Sequence, residues 1–183
     1  MKILVDLDDV LCNFIGEVFD LVGITEDDFM RRIPPLDCNW KVTELCGIPE
    51  DVIWEMIERK GYRFWASLKP HPWAEILWNA LVNHWGKENV IVCTSPKLST
   101  SCYVGKIDWV YKNLNTCNII LCPDKTMLNT GSILIDDSPY NVTHFGRNGI
   151  LFPAINNSKR KQYLELKQHP IKVYEFLAMY DLV

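Results

Sequence analysis

The sequence predicts an α/β fold, in which a Rossmann-like parallel β-sheet is flanked by helices and a small helical cap is inserted after the first strand. Short apolar runs alternate with helical stretches along the chain. These runs lack the alternating polar residues of a solvated sheet face, as expected for strands that are buried on both sides. One long stretch, 14–65, interrupts the alternation. A chain of 183 residues has room for one domain with such an insertion.

The predicted strands are short and rich in Ile, Val and Leu. They lie at 2–6, 89–94, 118–121, 132–136 and 149–152. Helical composition follows them at 72–85, 104–114, 140–147 and about 171–180. Pro72 suits the first turn of its helix, and Gly86 suits the end of that helix.

The stretch 14–65 contains no convincing buried strand but several amphipathic helical segments. The clearest segment is 49–60, whose apolar face carries Val52, Ile53, Met56 and Ile57. An insertion at this place predicts a cap over the carboxyl ends of the strands, where open α/β sheets bind ligands. We therefore divide the chain into an α/β core, 1–13 and 66–183, and a cap, 14–65.

Charge and hydropathy exclude several classes of function. The chain carries 19 Lys and Arg against 23 Asp and Glu, a net charge of -4, which argues against long nucleic acid as a partner. No apolar run reaches the about 20 residues of a membrane helix. The amino terminus lacks the apolar segment of a signal peptide. We expect a cytoplasmic protein with no membrane partner, and with the seven scattered cysteines reduced.

Carboxylates follow two of the predicted strands. Asp6, Asp8 and Asp9 come after the first strand, and Asp136 and Asp137 end the fourth. Buried carboxylates are costly unless they are paired or bind a metal, so this pattern implies a cation. Mg²⁺ prefers such oxygen ligands. Either cluster alone is equally typical of a helix N-cap.

Further polar residues at the same edge favour a functional site over helix caps. Thr94 and Ser95 follow the second strand, and Lys125 follows the third. The order Asp6-x-Asp8-x-Val10, Thr94, Lys125 and Asp136-Asp137 resembles the four motifs of the haloacid dehalogenase-like (HAD) phosphohydrolases. The second acid, Asp8, is a mark of the phosphatases in this superfamily.

Longer runs resemble one family within it. They are DLDDVLCNF from Asp6, YRFWASLKPHP from Tyr62, VCTSP from Val92, DKT from Asp124 and LIDDSP from Leu134. They are similar to the 5'(3')-deoxyribonucleotidases, small enzymes that dephosphorylate deoxyribonucleoside monophosphates. The similarity extends from Lys2 to about Phe152.

The resemblance implies a mechanism that depends on Mg²⁺. Asp6 is the expected nucleophile, which forms an aspartyl-phosphate, and Asp8 is the expected general acid and base. The expected metal ligands are the Asp6 carboxylate, the Asp8 backbone carbonyl and the Asp136 carboxylate. Asp137 is expected to orient Lys125 or a metal-bound water.

The phosphate is expected to be bound by Thr94, Ser95 and Lys125. Lys97 is a further candidate, but the related enzymes place a lysine one position later, so its contact with phosphate stays open. Asp9 replaces a glycine that is common in the animal enzymes.

The resemblance also implies an aromatic pocket for the base, formed by Phe14, Phe64 and Trp65. The remaining tryptophans are expected in the core: Trp40, Trp54, Trp73, Trp78, Trp85 and Trp109. Pro123 stands where some of the related enzymes have arginine, which leaves base and sugar preference open.

An alternative keeps this chemistry but takes a sugar phosphate or another small phosphomonoester as substrate. A non-catalytic sensor would need an undamaged site without turnover. The sequence leaves open whether a 5'- or a 3'-phosphate is cleaved, and whether the chain forms a homodimer.

Overall fold

The structure is a computed structural model that describes residues 1–32 and 46–183. Its strands are β1 (Ile3–Val5), β2 (Val90–Thr94), β3 (Ile119–Leu121), β4 (Ile133–Asp136) and β5 (Gly149–Leu151). Its α-helices are α1 (Phe14–Val22), α2 (Glu26–Arg32), α3 (Glu50–Lys60), α4 (Tyr62–Ala66), α5 (Ala74–Trp85), α6 (Thr100–Leu114), α7 (Pro139–Phe145), α8 (Arg160–Gln168) and α9 (Val173–Ala178). Short 3₁₀ helices lie at Lys87–Asn89, Lys125–Leu128 and Pro170–Lys172.

The strands form one parallel sheet in the order β3-β2-β1-β4-β5. In the register of the central strand, Val5 pairs with Val92 of β2 and with Ile135 of β4. Parallel strands in this register bring their carboxyl ends to one edge, so Asp6, Thr94 and Asp136 lie close together. The predicted fold class, including the helical insertion after β1, is confirmed.

The core is built from the apolar strand residues and from large aromatic side chains. Trp73 and Trp109 are fully buried, and Trp78 is nearly so, as the sequence predicts. Trp73 donates its indole N–H to the Val10 carbonyl (2.8 Å), and Trp109 donates to the Leu68 carbonyl (2.6 Å). These bonds satisfy the polar atoms of two side chains that fill the core. Trp40 lies outside the described residues.

The inserted segment packs against helix α6. Helix α4 approaches α6 so closely that a Cβ atom on Gly105 would lie 2.4 Å from the Cβ of Trp65. The Tyr62 hydroxyl donates a hydrogen bond to Asp108 on α6. This close packing places Trp65 beside the buried face of α6.

The structure corrects one prediction about the helices and adds a helix that was not predicted. Val52 is exposed, whereas Ile53 and Ile57 fill the buried face of α3, so the predicted apolar face was too wide. Helix α8 was not predicted, because its sequence is hydrophilic and only every third residue, Arg160, Tyr163 and Leu166, faces inward.

No helix in the described parts of the chain combines the length and the apolar character required to cross a lipid bilayer.

Candidate active site

Asp6, the first residue after β1, shares a buried lysine with the end of β4. The Nζ atom of Lys125 lies 2.7 Å from Oδ1 of Asp6 and 2.6 Å from Oδ2 of Asp136. Lys125 begins a 3₁₀ helix that follows β3, so its side chain reaches across the sheet edge. Burial alone would lower the pKa of Lys125, but the charges of Asp6 and Asp136 outweigh burial and raise it. Lys125 therefore carries its positive charge among the acids.

Asp136 is completely buried and surrounded by hydrogen-bond donors. In addition to Lys125, the Ser138 backbone N–H donates to its Oδ1 atom (2.8 Å). The Asn141 amide donates to both carboxylate oxygens at 3.2 and 3.1 Å. These donors fix the orientation of the Asp136 carboxylate. Asn141 lies on helix α7 and was not among the predicted site residues.

Asp137, the next residue, has a different environment. Within 1–32 and 46–183, no N–H or O–H group donates to its carboxylate. Carboxylate oxygens of Asp6, Asp136 and Asp137 lie within 4.8 Å of one another. Burial raises the pKa of Asp137 well above its usual range, and the charges of Asp9, Asp136 and Asp6 add to this effect. The described part of the site thus holds a carboxylate to which no group of the described residues donates a hydrogen bond.

The same excess of negative charge acts on Asp6. Burial raises the pKa of Asp6 to about 7. The charge of Lys125 opposes this rise, whereas the charges of Asp136 and Asp8 add to it. A hard divalent cation with oxygen ligands fits this group of carboxylates, because it supplies the charge that Lys125 alone does not.

Asp8 is held by a buried lysine that sequence reasoning missed. Lys106 on α6 is 1% exposed, and its Nζ atom lies 2.5 Å from Oδ2 of Asp8. The ammonium also donates to the Thr94 hydroxyl (2.8 Å) and to the Ser95 carbonyl (3.3 Å). The sequence does contain a signal for Lys106, since it shares a helical face with the buried residues Cys102, Gly105 and Trp109. A lysine on such a face requires an anionic partner.

Asp9 connects this loop to the inserted segment. Its φ of +58° lies in the left-handed region, where glycine, asparagine and aspartate are favoured. Oδ1 of Asp9 accepts a hydrogen bond from the Ile15 N–H (2.9 Å) in the first turn of α1. Burial raises the pKa of Asp9 well above its usual range.

The predicted aromatic residues come together beside Lys106. The rings of Phe14 and Trp65 stack with centroids 5.7 Å apart, and Phe64 meets Phe14 edge-on at 5.9 Å. The Lys106 ammonium lies 5.2 Å from the Trp65 ring centroid. Phe64 and Trp65 are buried, whereas Phe14 is half-buried. The aromatic wall, which we define as Phe14, Trp54, Phe64 and Trp65, therefore borders the acidic site.

Trp54 belongs to this wall and not to the deep core, which corrects the sequence-based expectation. It is half-buried and stacks on Phe14 with centroids 6.1 Å apart. A tryptophan on an amphipathic helix is usually a core residue, so this position was not expected.

Ser95 and Lys97 are both exposed and contact other groups. The Ser95 hydroxyl donates to the Cys122 carbonyl (3.2 Å). The Lys97 ammonium lies 4.0 Å from the centroid of the Trp54 ring, a cation–π contact. Neither side chain contacts the acids in this arrangement, whereas Thr94 does approach them through Lys106.

Comparisons with known proteins agree on the class of molecule. Residues 1–169 match the sequence profile of the family described as "5' nucleotidase, deoxy (Pyrimidine), cytosolic type C protein". Two proteins of Staphylococcus aureus, from strains MSSA476 and Mu50, are each named "Putative 5'(3')-deoxyribonucleotidase". Both are 25% identical to this chain over 159 residues, which cover 85% of this chain and 84% of the relative.

Among solved structures, the chain is similar to a HAD family hydrolase from Deinococcus radiodurans R1, a structure with bound phosphate and sodium. The sequences are 15% identical, the TM-score is 0.47, and the match covers 82% of this chain and 78% of the other.

Proposed function

We propose that this chain, which belongs to the 5' nucleotidase, deoxy (pyrimidine), cytosolic type C family, is a Mg²⁺-dependent phosphomonoesterase that hydrolyses deoxyribonucleoside monophosphates. The observation that carries the proposal is the pairing of two sites at one sheet edge. Asp6 and Lys125 form a charged reaction centre, and the aromatic wall borders it through Lys106. The family's description supports a cytosolic location as well.

Asp6 is the proposed nucleophile. One of its carboxylate oxygens attacks phosphorus, a P–O bond to Asp6 forms, and the bond from phosphorus to the sugar oxygen breaks. Water then hydrolyses the aspartyl-phosphate and releases inorganic phosphate. Lys125, 2.7 Å from Asp6, neutralises negative charge on the transferred group.

Asp8 is the proposed general acid, which gives a proton to the departing sugar oxygen and then takes one from the attacking water. In the resting arrangement the Lys106 ammonium forms an ion pair with the Asp8 carboxylate. Phosphate that binds beside Thr94 offers Lys106 a competing anion. When Lys106 turns towards phosphate, it releases the Asp8 carboxyl group, which is then free to contact the sugar oxygen.

Mg²⁺ is the proposed metal, and its proposed ligands are the carboxylates of Asp6 and Asp137 and the backbone carbonyl of Asp8. Bound Mg²⁺ would screen the phosphate charge, so that a carboxylate can approach it. The Asp137 carboxylate has no donor of its own in the described residues, whereas Asp136 is occupied by Lys125 and two further donors. This assignment exchanges the roles that the sequence suggested for Asp136 and Asp137.

The aromatic wall supports a nucleotide as substrate. Stacking of a base on an aromatic side chain contributes about 1 to 3 kcal/mol, which a sugar phosphate cannot gain. Phe14 is the half-buried member next to two buried aromatic residues, and it therefore offers the surface that a base would contact. We also propose that the chain is divided into a core, 1–13 and 66–183, and a cap, 14–65, and that the cap contributes the aromatic wall.

A matched pair of substrates tests this proposal. We expect wild-type protein with Mg²⁺ to favour a deoxyribonucleoside 5'-monophosphate over deoxyribose 5-phosphate, which carries no base. The Phe14→Ala variant should raise KM for the nucleotide by about 5- to 100-fold, the equivalent of one stacked base, and should leave KM for the sugar phosphate unchanged. Equal use of both substrates by wild-type protein would contradict a nucleotide as the substrate and favour a small sugar phosphate. The nucleoside 3'-monophosphate, assayed in parallel, decides which phosphate is cleaved.

A further inference from the structure

Asn157 is a buried asparagine outside the proposed site, and all of its side-chain hydrogen-bonding capacity is used. It is 1% exposed and lies in the segment between β5 and α8. Its amide nitrogen donates to the backbone carbonyls of Asp137 (2.9 Å) and Phe152 (2.8 Å). Its Oδ1 atom accepts from the backbone N–H groups of Ala154 (3.3 Å) and Lys159 (2.9 Å). Two donors and two acceptors are the full capacity of an asparagine side chain.

These bonds join two loops at the carboxyl edge of the sheet. Phe152 continues β5, since its N–H donates to the Asp136 carbonyl (2.8 Å). Asp137 follows β4, so the Asn157 amide connects the loop after β5 to the loop after β4. The bond to Asp137 is made at its backbone, and no donor among residues 1–32 and 46–183 bonds to its carboxylate.

We propose that Asn157 is a positioning residue, which fixes the backbone of Asp137 and thereby holds its carboxylate ready for the divalent cation. This inference rests on the proposed role of Asp137 as a metal ligand. Asp136 is fixed through its own carboxylate by three donors, but Asp137 has no such support. The backbone bond from Asn157 is the anchor that the structure provides next to its carboxylate. No other asparagine or glutamine side chain in the described residues donates to Asp137.

The test uses Mg²⁺ binding to the full chain, measured by calorimetry in the absence of any substrate. Loss of groups that orient metal ligands weakens metal binding by about 10- to 100-fold, and we expect Asn157→Ala to show a loss in this range. Activity should then recover at higher Mg²⁺ concentration, with kcat near that of wild-type protein and KM for the substrate unchanged.

Asn148 provides a matched control. Its amide donates to the Ser132 carbonyl (3.1 Å) and joins the segments that precede β5 and β4, at the opposite edge of the same strand pair. Asn148→Ala removes a similar bond, and it should leave Mg²⁺ binding within about twofold of wild type. Urea unfolding of both variants separates loss of stability from loss of metal binding. If Asn157→Ala does not fold, Asn157→Ser replaces it, because the hydroxyl can keep a contact with the loop.

A folded Asn157 variant with wild-type affinity for Mg²⁺ would overturn the proposal, and so would equal losses in the Asn157 and Asn148 variants. Wild-type protein that binds no Mg²⁺ would overturn both this inference and the metal-dependent function. Wild-type protein that binds Mg²⁺ but hydrolyses no nucleotide would refute the proposed function alone, and the binding comparison would still decide the role of Asn157.

Discussion

The Nζ atom of Lys106 lies 2.5 Å from Oδ2 of Asp8, in an ion pair that joins helix α6 to the loop after β1. The Lys106 side chain is 1% exposed and the Asp8 side chain is 24% exposed, so the pair is largely shielded from solvent. A cation that bridges Asp8 and Thr94 is placed to receive the phosphate of a substrate. The ion pair therefore links the proposed general acid, Asp8, to a cation that we expect to contact phosphate.

Replacing Lys106 should damage catalysis strongly. We expect Lys106→Met to lower kcat/KM by about 100-fold or more, because a charged donor to the transferred phosphoryl group is lost. Lys112→Met is the control on the same helix, since Lys112 pairs with Asp108 at a more exposed position (2.6 Å). Exposed pairs contribute little to stability, and Lys112 lies away from the acids of the site, so Lys112→Met should leave kcat/KM nearly unchanged. Steady-state kinetics that find equal effects for the two variants would remove Lys106 from the site.

Replacement of Asp136 and of Asp137 by asparagine should have different effects. Asp137→Asn should weaken Mg²⁺ binding by more than about 100-fold, because it removes a direct ligand and not merely a group that orients one. Asp136→Asn should lower kcat at saturating Mg²⁺, since Lys125 loses one of its two carboxylate partners, and should change Mg²⁺ affinity less. Calorimetric titration of both variants measures this order. The reverse order would restore Asp136 as the metal ligand.

The backbone conformation of Asp9 predicts which substitution it tolerates. Asp9→Ala and Asp9→Gly both remove the bond to the Ile15 N–H, but only alanine keeps a Cβ atom at a φ of +58°. The left-handed conformation costs a residue with a Cβ atom about 1 kcal/mol. We therefore expect Asp9→Gly to be more stable than Asp9→Ala by about that amount in urea unfolding. Equal stabilities would show that the loop relaxes after either substitution.

His71 should make the folded protein sensitive to acid. Its ring stacks on Trp73 with centroids 4.3 Å apart, and its buried Nε2 atom has no hydrogen-bond partner in the described part of the chain. Burial lowers the pKa of His71 from 6.5 to about 3, and the nearby Lys167 adds to this effect. Between these two values the unfolded chain binds a proton that the folded chain does not, so stability falls as the pH drops below about 6.5.

The His71→Phe variant keeps an aromatic ring on Trp73 and removes the titrating group. We expect its free energy of unfolding to fall less between pH 7 and pH 5 than that of wild-type protein. Urea unfolding at these two pH values measures the difference. Parallel losses in both proteins would assign the acid sensitivity to other groups.

Much of the site was predictable because it depends on strand ends. An apolar run that stops at an acid, as at Val5 and Asp6, predicts a strand and places the acid at the carboxyl edge of the sheet. The sheet register then brings Asp6 and Asp136 together without further information. Three aromatic residues of the wall, Phe14, Phe64 and Trp65, were by contrast named from the family resemblance. The packing of α4 against α6 brings Trp65 to the site.

The missing parts depend on side-chain direction and tertiary packing. Asp136 and Asp137 are adjacent at a strand end, and successive side chains of an extended chain point to opposite sides. Sequence reasoning could not decide which of the two would meet Lys125. Lys106 was missed because its importance requires knowing that α6 packs its buried face over the loop after β1. Asn157 makes contacts with backbone atoms only, and these contacts leave no pattern in the sequence.

The most direct test of the account is phosphate release from a deoxyribonucleoside monophosphate, measured for wild-type protein with Mg²⁺, for wild-type protein with EDTA, and for Asp6→Asn with Mg²⁺. The account predicts steady release in the first sample only, because it requires both the metal and the Asp6 carboxylate. Equal release by Asp6→Asn, or release that persists in EDTA, would contradict it.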